Sequence, residues 1–195
     1  MENRRWPKRI REQGWTYDDY AALPEEVGRF EVIDGALEAM SPAPSLPHQV
    51  ISRELYRHMS RCDDEYLVLY SPLDVILSPR HVLQPDLVMI HRDRLEICSV
   101  RGVEGPPDVV VEILSPSSAD KDRGRKMQVY AHFGVPEYWV VDPDAAVLER
   151  YTADEGGGFR LAAAYRENQT VMSNRFPCIR FCVRDVFQAV PKFRS

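Results

Sequence analysis

Asp108-Val109-Val110-Val111-Glu112-Ile113-Leu114, cut off by Ser115-Pro116-Ser117-Ser118, is the most apolar strand-length run in the chain. A continuous apolar run bounded by turn residues predicts a central strand, buried on both faces of a sheet. Glu112 interrupts it. A carboxylate in such a strand gives up its hydration, which is costly unless the group is paired or bound to a cation. Two partners fit: a metal ion, or a salt bridge to Lys126 or an arginine of the segment that follows.

Working downstream, the pattern predicts a helix over about 119–133, carrying Lys126, Met127, Tyr130 and Ala131 and ending at Gly134. A strand over 138–141 stops at Asp142-Pro143. Strands 147–151, 159–165 and 178–183 form a meander before a short helix at 184–190. Upstream, strands are predicted over 66–70, 73–77 and 86–90. The last follows Pro85, a residue that strands accept at their start but not in their middle. Val50, Ile51, Leu55 and Met59 recur at helical spacing from Pro47 to about Arg61. Asp34-Gly35 sits between 30–33 and 36–40 and marks a tight hairpin, whose two central residues need positive φ. Thr16 with Asp19 has the spacing of a capping box at the start of a short helix. The predicted fold is α/β (α+β), a single mixed β-sheet flanked by helices, with an N-terminal hairpin and added C-terminal strands. Residues 1–14 read as a basic arm, 15–190 as one domain and 191–195 as a tail.

The 195 residues suffice for one domain with a sizeable core, and no apolar run has the length of a membrane span. The basic N-terminus (Arg4, Arg5, Lys8, Arg9, Arg11) is not followed by the apolar stretch of a secretory signal, so a cytoplasmic protein without a membrane segment is expected. Cys62, Cys98, Cys178 and Cys182 form no C-x-x-C pair and are expected to be reduced core residues. A net charge of −5 weighs against a broad nucleic-acid surface. The positive charge is clustered, however: Lys121, Arg123, Arg125 and Lys126 fall together, either as a solvated helix face or as a phosphate-contacting one.

Asp86, in Gln84-Pro85-Asp86-Leu87-Val88, is a second acid at the head of an apolar strand. Alone it reads as turn chemistry. Paired with Glu112 it reads differently, because two carboxylates at the ends of short strands can converge in one cleft and cannot both ionise cheaply without a cation between them. Mg²⁺ or Mn²⁺ takes oxygen ligands of this kind. His48, near a helix start, fits either a hydrogen bond to a phosphate, with a share in proton transfer, or packing on the hairpin.

Pro85-Asp86, Glu112 within Val-Glu-Ile-Leu-Ser-Pro-Ser, Asp122 with Lys126 and Tyr130, and Gly134-Val135-Pro136-Glu137-Tyr138-Trp139 with Asp142-Pro143 resemble the Uma-two family of restriction-type endonucleases, within the PD-(D/E)XK nuclease superfamily. Phe30-Glu31-Val32-Ile33-Asp34-Gly35 and His48 also match, so that the resemblance spans roughly residues 15–190. It implies a restriction-endonuclease-like core, a divalent metal and hydrolysis of DNA phosphodiesters. It casts Asp86 and Glu112 as metal ligands, the Ile113 carbonyl as a further ligand, and Glu31 as an acid in or beside the metal shell. Asp34 is left to shape the hairpin. The superfamily's lysine two residues beyond the second acid is Leu114 here, and Lys126 matches the position where the family carries lysine. On this reading Lys121, Arg123 and Arg125 contact DNA, a two-fold homodimer serves the two strands, and Lys126→Met slows cleavage while leaving folding largely intact. The alternative class is a nuclease-fold module that binds or assembles without cutting, which Leu114 and the net charge favour. A metal-free sugar hydrolase ranks last, for want of an aromatic-rich groove.

Overall fold

The computed structural model describes residues 14–24, 28–40 and 43–192. Nearly all of the expected basic arm, together with residues 193–195 of the tail, lies outside them. In chain order the elements are α1 (Tyr17–Ala21), β1 (Phe30–Ile33), β2 (Ala36–Ala39), α2 (Leu46–Met59), β3 (Tyr66–Tyr70), β4 (Val75–Ser78), β5 (His81–Leu83), β6 (Leu87–His91), β7 (Cys98–Ser99), β8 (Gly102–Val103) and β9 (Val109–Ile113). There follow α3 (Ala119–Lys121), a π turn (Asp122–Lys126), α4 (Met127–His132), β10 (Glu137–Asp142), β11 (Val147–Ala153), β12 (Phe159–Arg166), β13 (Thr170–Met172), β14 (Arg180–Cys182) and α5 (Val183–Gln188).

The expected class, mixed α/β with helices flanking mixed sheets, is the observed one. The strands do not form the single sheet predicted, however. A central six-stranded sheet runs β12-β11-β10-β9-β6-β3, a second runs β2-β1-β5-β4-β8-β7, and β13-β14 form a ribbon. The cause lies between β3 and β6. After β3 the chain leaves the central sheet, makes the β4–β5 hairpin, and returns as β6 to pair with β3. The N-terminal hairpin then docks on β5, with Val32 opposite Val82. Strands of two or three residues, such as β5, β7 and β8, are too short to carry a period-2 signal.

Local chemistry explains the elements that were legible. Thr16 and Asp19 form the reciprocal capping box. Asp34 and Gly35 take φ of 54° and 75°, the left-handed values that a tight two-residue hairpin requires. Ser45 caps α2, and Pro47 occupies its first turn, where no N–H is missed.

All five residues of β9 are buried. Val109, Val111 and Ile113, with Leu87, Met89, Trp139 and Val141, pack against Ile51, Leu55 and Met59 of α2 and Val183 and Val186 of α5. Val110, with Val88, Ile90, Tyr138 and Val140, faces Val129 and Tyr130 of α4 and Ile33, Val75 and Leu83 of the second sheet. Glu112 falls between Val110 and Leu114 in this alternation, on the face between the two sheets.

Two expectations about the C-terminal part are corrected. Cys62 and Cys178 are joined in a disulfide, with Cα atoms 5.3 Å apart, rather than both being reduced; Cys98 and Cys182 are free. The 116 residues separating the pair hide it from any reading of spacing. Segment 178–183, predicted as a strand of the C-terminal meander, instead gives β14 of the separate β13-β14 ribbon and the start of α5, with Phe181 and Val183 in the protein's own core. No described helix is long and apolar enough to cross a membrane.

His58 lies in this core, stacked on Phe181 at 4.7 Å, with neither ring nitrogen hydrogen-bonded. Burial lowers its pKa from 6.5; Arg57 and Arg61 push the same way and Asp185 and Glu54 oppose them. The unfolded chain therefore binds the proton more readily than the folded one. The neutral ring's contribution is fully present above about pH 6.5 and is lost as pH falls through the depressed folded value. His58→Phe should flatten the acid side of the stability curve, raising the denaturation midpoint at pH 5 more than at pH 8. Equal changes at both values would show that His58 does not titrate with unfolding.

Candidate active site

Leu87 pairs with Val111, Val88 with Val110 and Met89 with Val109 across the antiparallel β6–β9 ladder. Asp86 stands immediately before β6, and its backbone is anchored to the neighbouring strands: its N–H donates to Val111 O (3.1 Å) and its carbonyl accepts from Ser71 N–H (2.9 Å). Its side chain accepts from the N–H of Ile113, the residue after Glu112. Both acids line the same cleft, of about 770 Å³, at the ends of the strands.

Four elements close around them. β1 carries Glu31, the turn before β6 carries Gln84, the first turn of α2 carries His48, and the π turn carries Asp122 and Lys126. A π turn is uncommon and recurs at functional sites; this one buries two of its four charged side chains, Asp122 and Lys126.

Lys126 Nζ lies 2.7 Å from Glu112 Oε1, 2.9 Å from Glu31 Oε1 and 3.4 Å from Asp122 Oδ1. Tyr130 Oη donates to Glu112 Oε1 at 3.3 Å. Gln84 N–H donates to Glu31 Oε1 at 3.0 Å. Burial pushes the Glu112 carboxyl well above the ordinary range, and Asp122, Asp86 and Glu31 add to it against the pull of Lys126. Burial alone would lower the Lys126 ammonium, but Glu112, Glu31 and Asp122 outweigh it and hold the group charged. Burial also raises Asp122. For Glu31 the cations prevail over burial: Lys126, the Gln84 N–H and Lys121 bring it below its usual value.

Asp86 Oδ2 accepts from Ile113 N–H at 2.7 Å and lies 3.2 Å from His48 Nε2. His48 Nδ1 is buried with no hydrogen-bond partner among the described residues. Burial lowers the imidazole, but Asp86 and the Ile113 backbone raise it above its ordinary value. Asp86 Oδ2 therefore already meets two nitrogens.

Asp86, Glu112, Ile113, Glu31, His48, Lys126 and Lys121 are thus brought close to one another. Lys121 reaches Glu31 and Glu38, each at 3.3 Å. Arg123 and Arg125 are not brought to the cleft. Arg123 pairs with Glu149 and lies 3.7 Å from Asp142. Arg125 grips the hairpin through Glu38, Asp34 Oδ2 (3.1 Å) and the Ile33 carbonyl (2.9 Å). Asp34 shapes the hairpin, as expected, and also holds His81 at 3.0 Å. Glu137 stands at the other end of the sheet, opposite Val109, and serves Arg150, Ser173 and Trp139. With three buried carboxylate partners, Lys126→Met is expected to lower stability as well as slow cleavage.

Sequence reasoning missed Gln84, Arg29 and Tyr70. Gln84 binds Arg29 through its Oε1 (2.6 and 3.0 Å) and Tyr20 and Asp74 through its Nε2 (2.8 Å each). Its one signal was adjacency to Pro85-Asp86.

Among the described residues no group of three or more His, Cys, Asp or Glu side chains is arranged to hold a metal ion. The oxygens that could receive an ion in the cleft are those of Asp86, Glu112 and the Ile113 carbonyl, with Glu31 bound to Lys126. These are hard oxygen donors, suited to Mg²⁺ or Mn²⁺ rather than to zinc or copper.

Residues 17–182 match the Uma2 family, described as "Putative restriction endonuclease". A solved structure from Anabaena variabilis ATCC 29413, described as a "putative nuclease belonging to DUF820", superposes with a TM-score of 0.75 at 20% identity. The match covers 91% of this chain and 100% of that one, and at this identity it speaks to the fold. No curated protein matches the chain.

Proposed function

Since the chain belongs to the Uma2 family, we propose that it is a Mg²⁺- or Mn²⁺-dependent endonuclease hydrolysing phosphodiester bonds of DNA. The observation that carries this reading is that Asp86 and Glu112 line one cleft, where Asp86 accepts from the N–H of Ile113 next to Glu112 and the Lys126 ammonium sits 2.7 Å from Glu112.

Asp86, Glu112 and the Ile113 carbonyl would hold the ion, with Glu31 beside it. The ion supplies activation of water and neutralisation of charge at the scissile phosphate. Lys126 presents a fixed ammonium next to Glu112, placed to orient the attacking water or to stabilise charge gathering on the phosphate oxygens. It takes up the task for which Leu114 has no polar group. His48 positions the Asp86 carboxylate. Lys121, at the cleft, contacts the nucleic-acid backbone, while Arg123 and Arg125 brace the helix that carries Lys126.

The test is nicking of supercoiled plasmid with Mg²⁺ or Mn²⁺, with and without EDTA. EDTA-sensitive nicking is expected. Manganese binding without nicking would favour the second reading, a non-cutting module, which the sharing of Lys126 among three carboxylates supports.

We further propose a two-fold homodimer, since cutting both backbones of a duplex is served by two symmetry-related sites. The free edge of β12, with Leu161 exposed, is the surface suited to it. Light scattering should give twice the chain mass; a monomer at micromolar concentration would refute it.

A further inference from the structure

The cationic groups of the described protein are unevenly free. Arg123, Arg125, Lys121 and Lys126 all have carboxylate partners. Arg29 is the one cleft-lining lysine or arginine without a carboxylate in ion-pair reach among the described residues. Its guanidinium is held instead by neutral acceptors, Gln84 Oε1 at 2.6 and 3.0 Å and Ser71 Oγ at 3.0 Å. A guanidinium fixed in this way keeps its full charge and its remaining N–H donors for a phosphate.

Ser71 follows Tyr70, the last residue of β3, which also lines the cleft and is 57% exposed. Tyr56 meets the Tyr70 ring edge-on at 4.9 Å, steadying it. Tyr70 pairs with Leu87, one residue from Asp86. An exposed, steadied aromatic ring therefore lines the same cleft as a guanidinium that has no carboxylate partner among the described residues and is bonded to Ser71, the residue after Tyr70. One suits a base face and the other a phosphate, the pairing by which single strands are held. A base inside a duplex is stacked on both sides and cannot reach such a ring.

Charge points the same way. A net charge of −5, with most of the cleft-side cations already paired, offers few phosphate contacts and no long track for a duplex backbone. A short footprint on an unpaired segment needs only a few.

From this we infer that the preferred substrate is single-stranded DNA, or an unpaired flap or loop, with one base stacked on Tyr70 and a neighbouring phosphate on Arg29. The inference rests on the nuclease reading above.

The test is the affinity of the full chain for fluorescent oligonucleotides, with Ca²⁺ replacing Mg²⁺ to keep them uncut. A single strand should bind about tenfold or more tighter than the matched blunt duplex. Tyr70→Ala should weaken single-strand binding by about tenfold, the effect of losing one stacked base. Tyr70→Phe, which keeps the ring, should restore it. Arg29→Met should reduce the slope of log K against log salt by about 0.7, one single-strand phosphate. Equal or tighter duplex binding, or no effect of Tyr70→Ala, overturns the inference and leaves the nuclease reading standing. Tighter binding of an RNA strand than of the DNA strand overturns it as well. A wild-type chain that binds no nucleic acid overturns both.

Discussion

Asp86→Asn is expected to lower the proposed DNA cleavage by about a thousandfold or more and to leave the fold in place. Asparagine has the size of aspartate and keeps an oxygen for the Ile113 N–H, now 2.7 Å from Asp86 Oδ2. The backbone bonds to Val111 and Ser71 do not involve the side chain. The side chain is 18% exposed, so its charge is not a buried one whose loss reorganises the core. The stability cost should be roughly 1 kcal/mol, that of one weakened hydrogen bond. What is lost is the negative charge that a divalent ion requires. An amide oxygen is a poor substitute for a carboxylate at a two-acid site, and losing one electrostatic element of such a centre costs about 10²–10³ in rate, more when the ion goes with it. Three measurements on one preparation separate the effects: the thermal midpoint, Mn²⁺ binding by titration calorimetry, and plasmid nicking. A midpoint near wild type with manganese binding and nicking both lost is the expected pattern. Wild-type manganese affinity in the variant would remove Asp86 from the proposed metal site.

The acids were legible because burial is expensive. Glu112 stood out from its apolar run for the same reason that it now touches Lys126 and Tyr130. The capping box at Thr16, the Asp34-Gly35 turn and the helical spacing of α2 are local signals, and they held. What stayed hidden is set by distance along the chain. The second sheet is built from strands of two to four residues, too short to leave a periodic trace, and its hairpins are joined by distant pairings such as Val32 with Val82 and Val75 with Val103. Arg29, Gln84 and Tyr70 are ordinary residues in the sequence and gain meaning only where β1, β3 and the turn before β6 meet. The basic run was misjudged for a related reason: periodicity gives the faces of a helix but not the neighbours of each face. Arg123 and Arg125 found Glu149 and the hairpin acids there, whereas Lys126 found Glu31, Glu112 and Asp122.

Those three partners make Lys126→Met the most disruptive single change expected at the site. The lysine side chain is 4% exposed, and so are its partners, to within a few per cent. Methionine fills the space but leaves the acids without their shared cation. Removing one member of a buried charge group costs about 3–5 kcal/mol, because the partners remain desolvated and unpaired. Two features limit the loss. Glu112, already held above the ordinary carboxyl range, can take up a proton, and Lys121 remains 3.3 Å from Glu31. The variant should therefore fold, with a thermal midpoint lower by roughly 6–20 °C for a chain of this size. A divalent ion offers the carboxylates a substitute charge, so Mg²⁺ or Mn²⁺ should raise the midpoint of Lys126→Met by more than it raises that of the wild type, as expected of a ligand that binds only the native state. Cleavage should nonetheless fall by about 10²-fold or more at a temperature where both proteins are folded, since the ammonium beside Glu112 is gone. If the variant melts with the wild type, the buried ion group does not hold the fold together. If it is destabilised but cuts at the wild-type rate, Lys126 is a structural cation, and the group that acts on the phosphate must be sought elsewhere in the cleft.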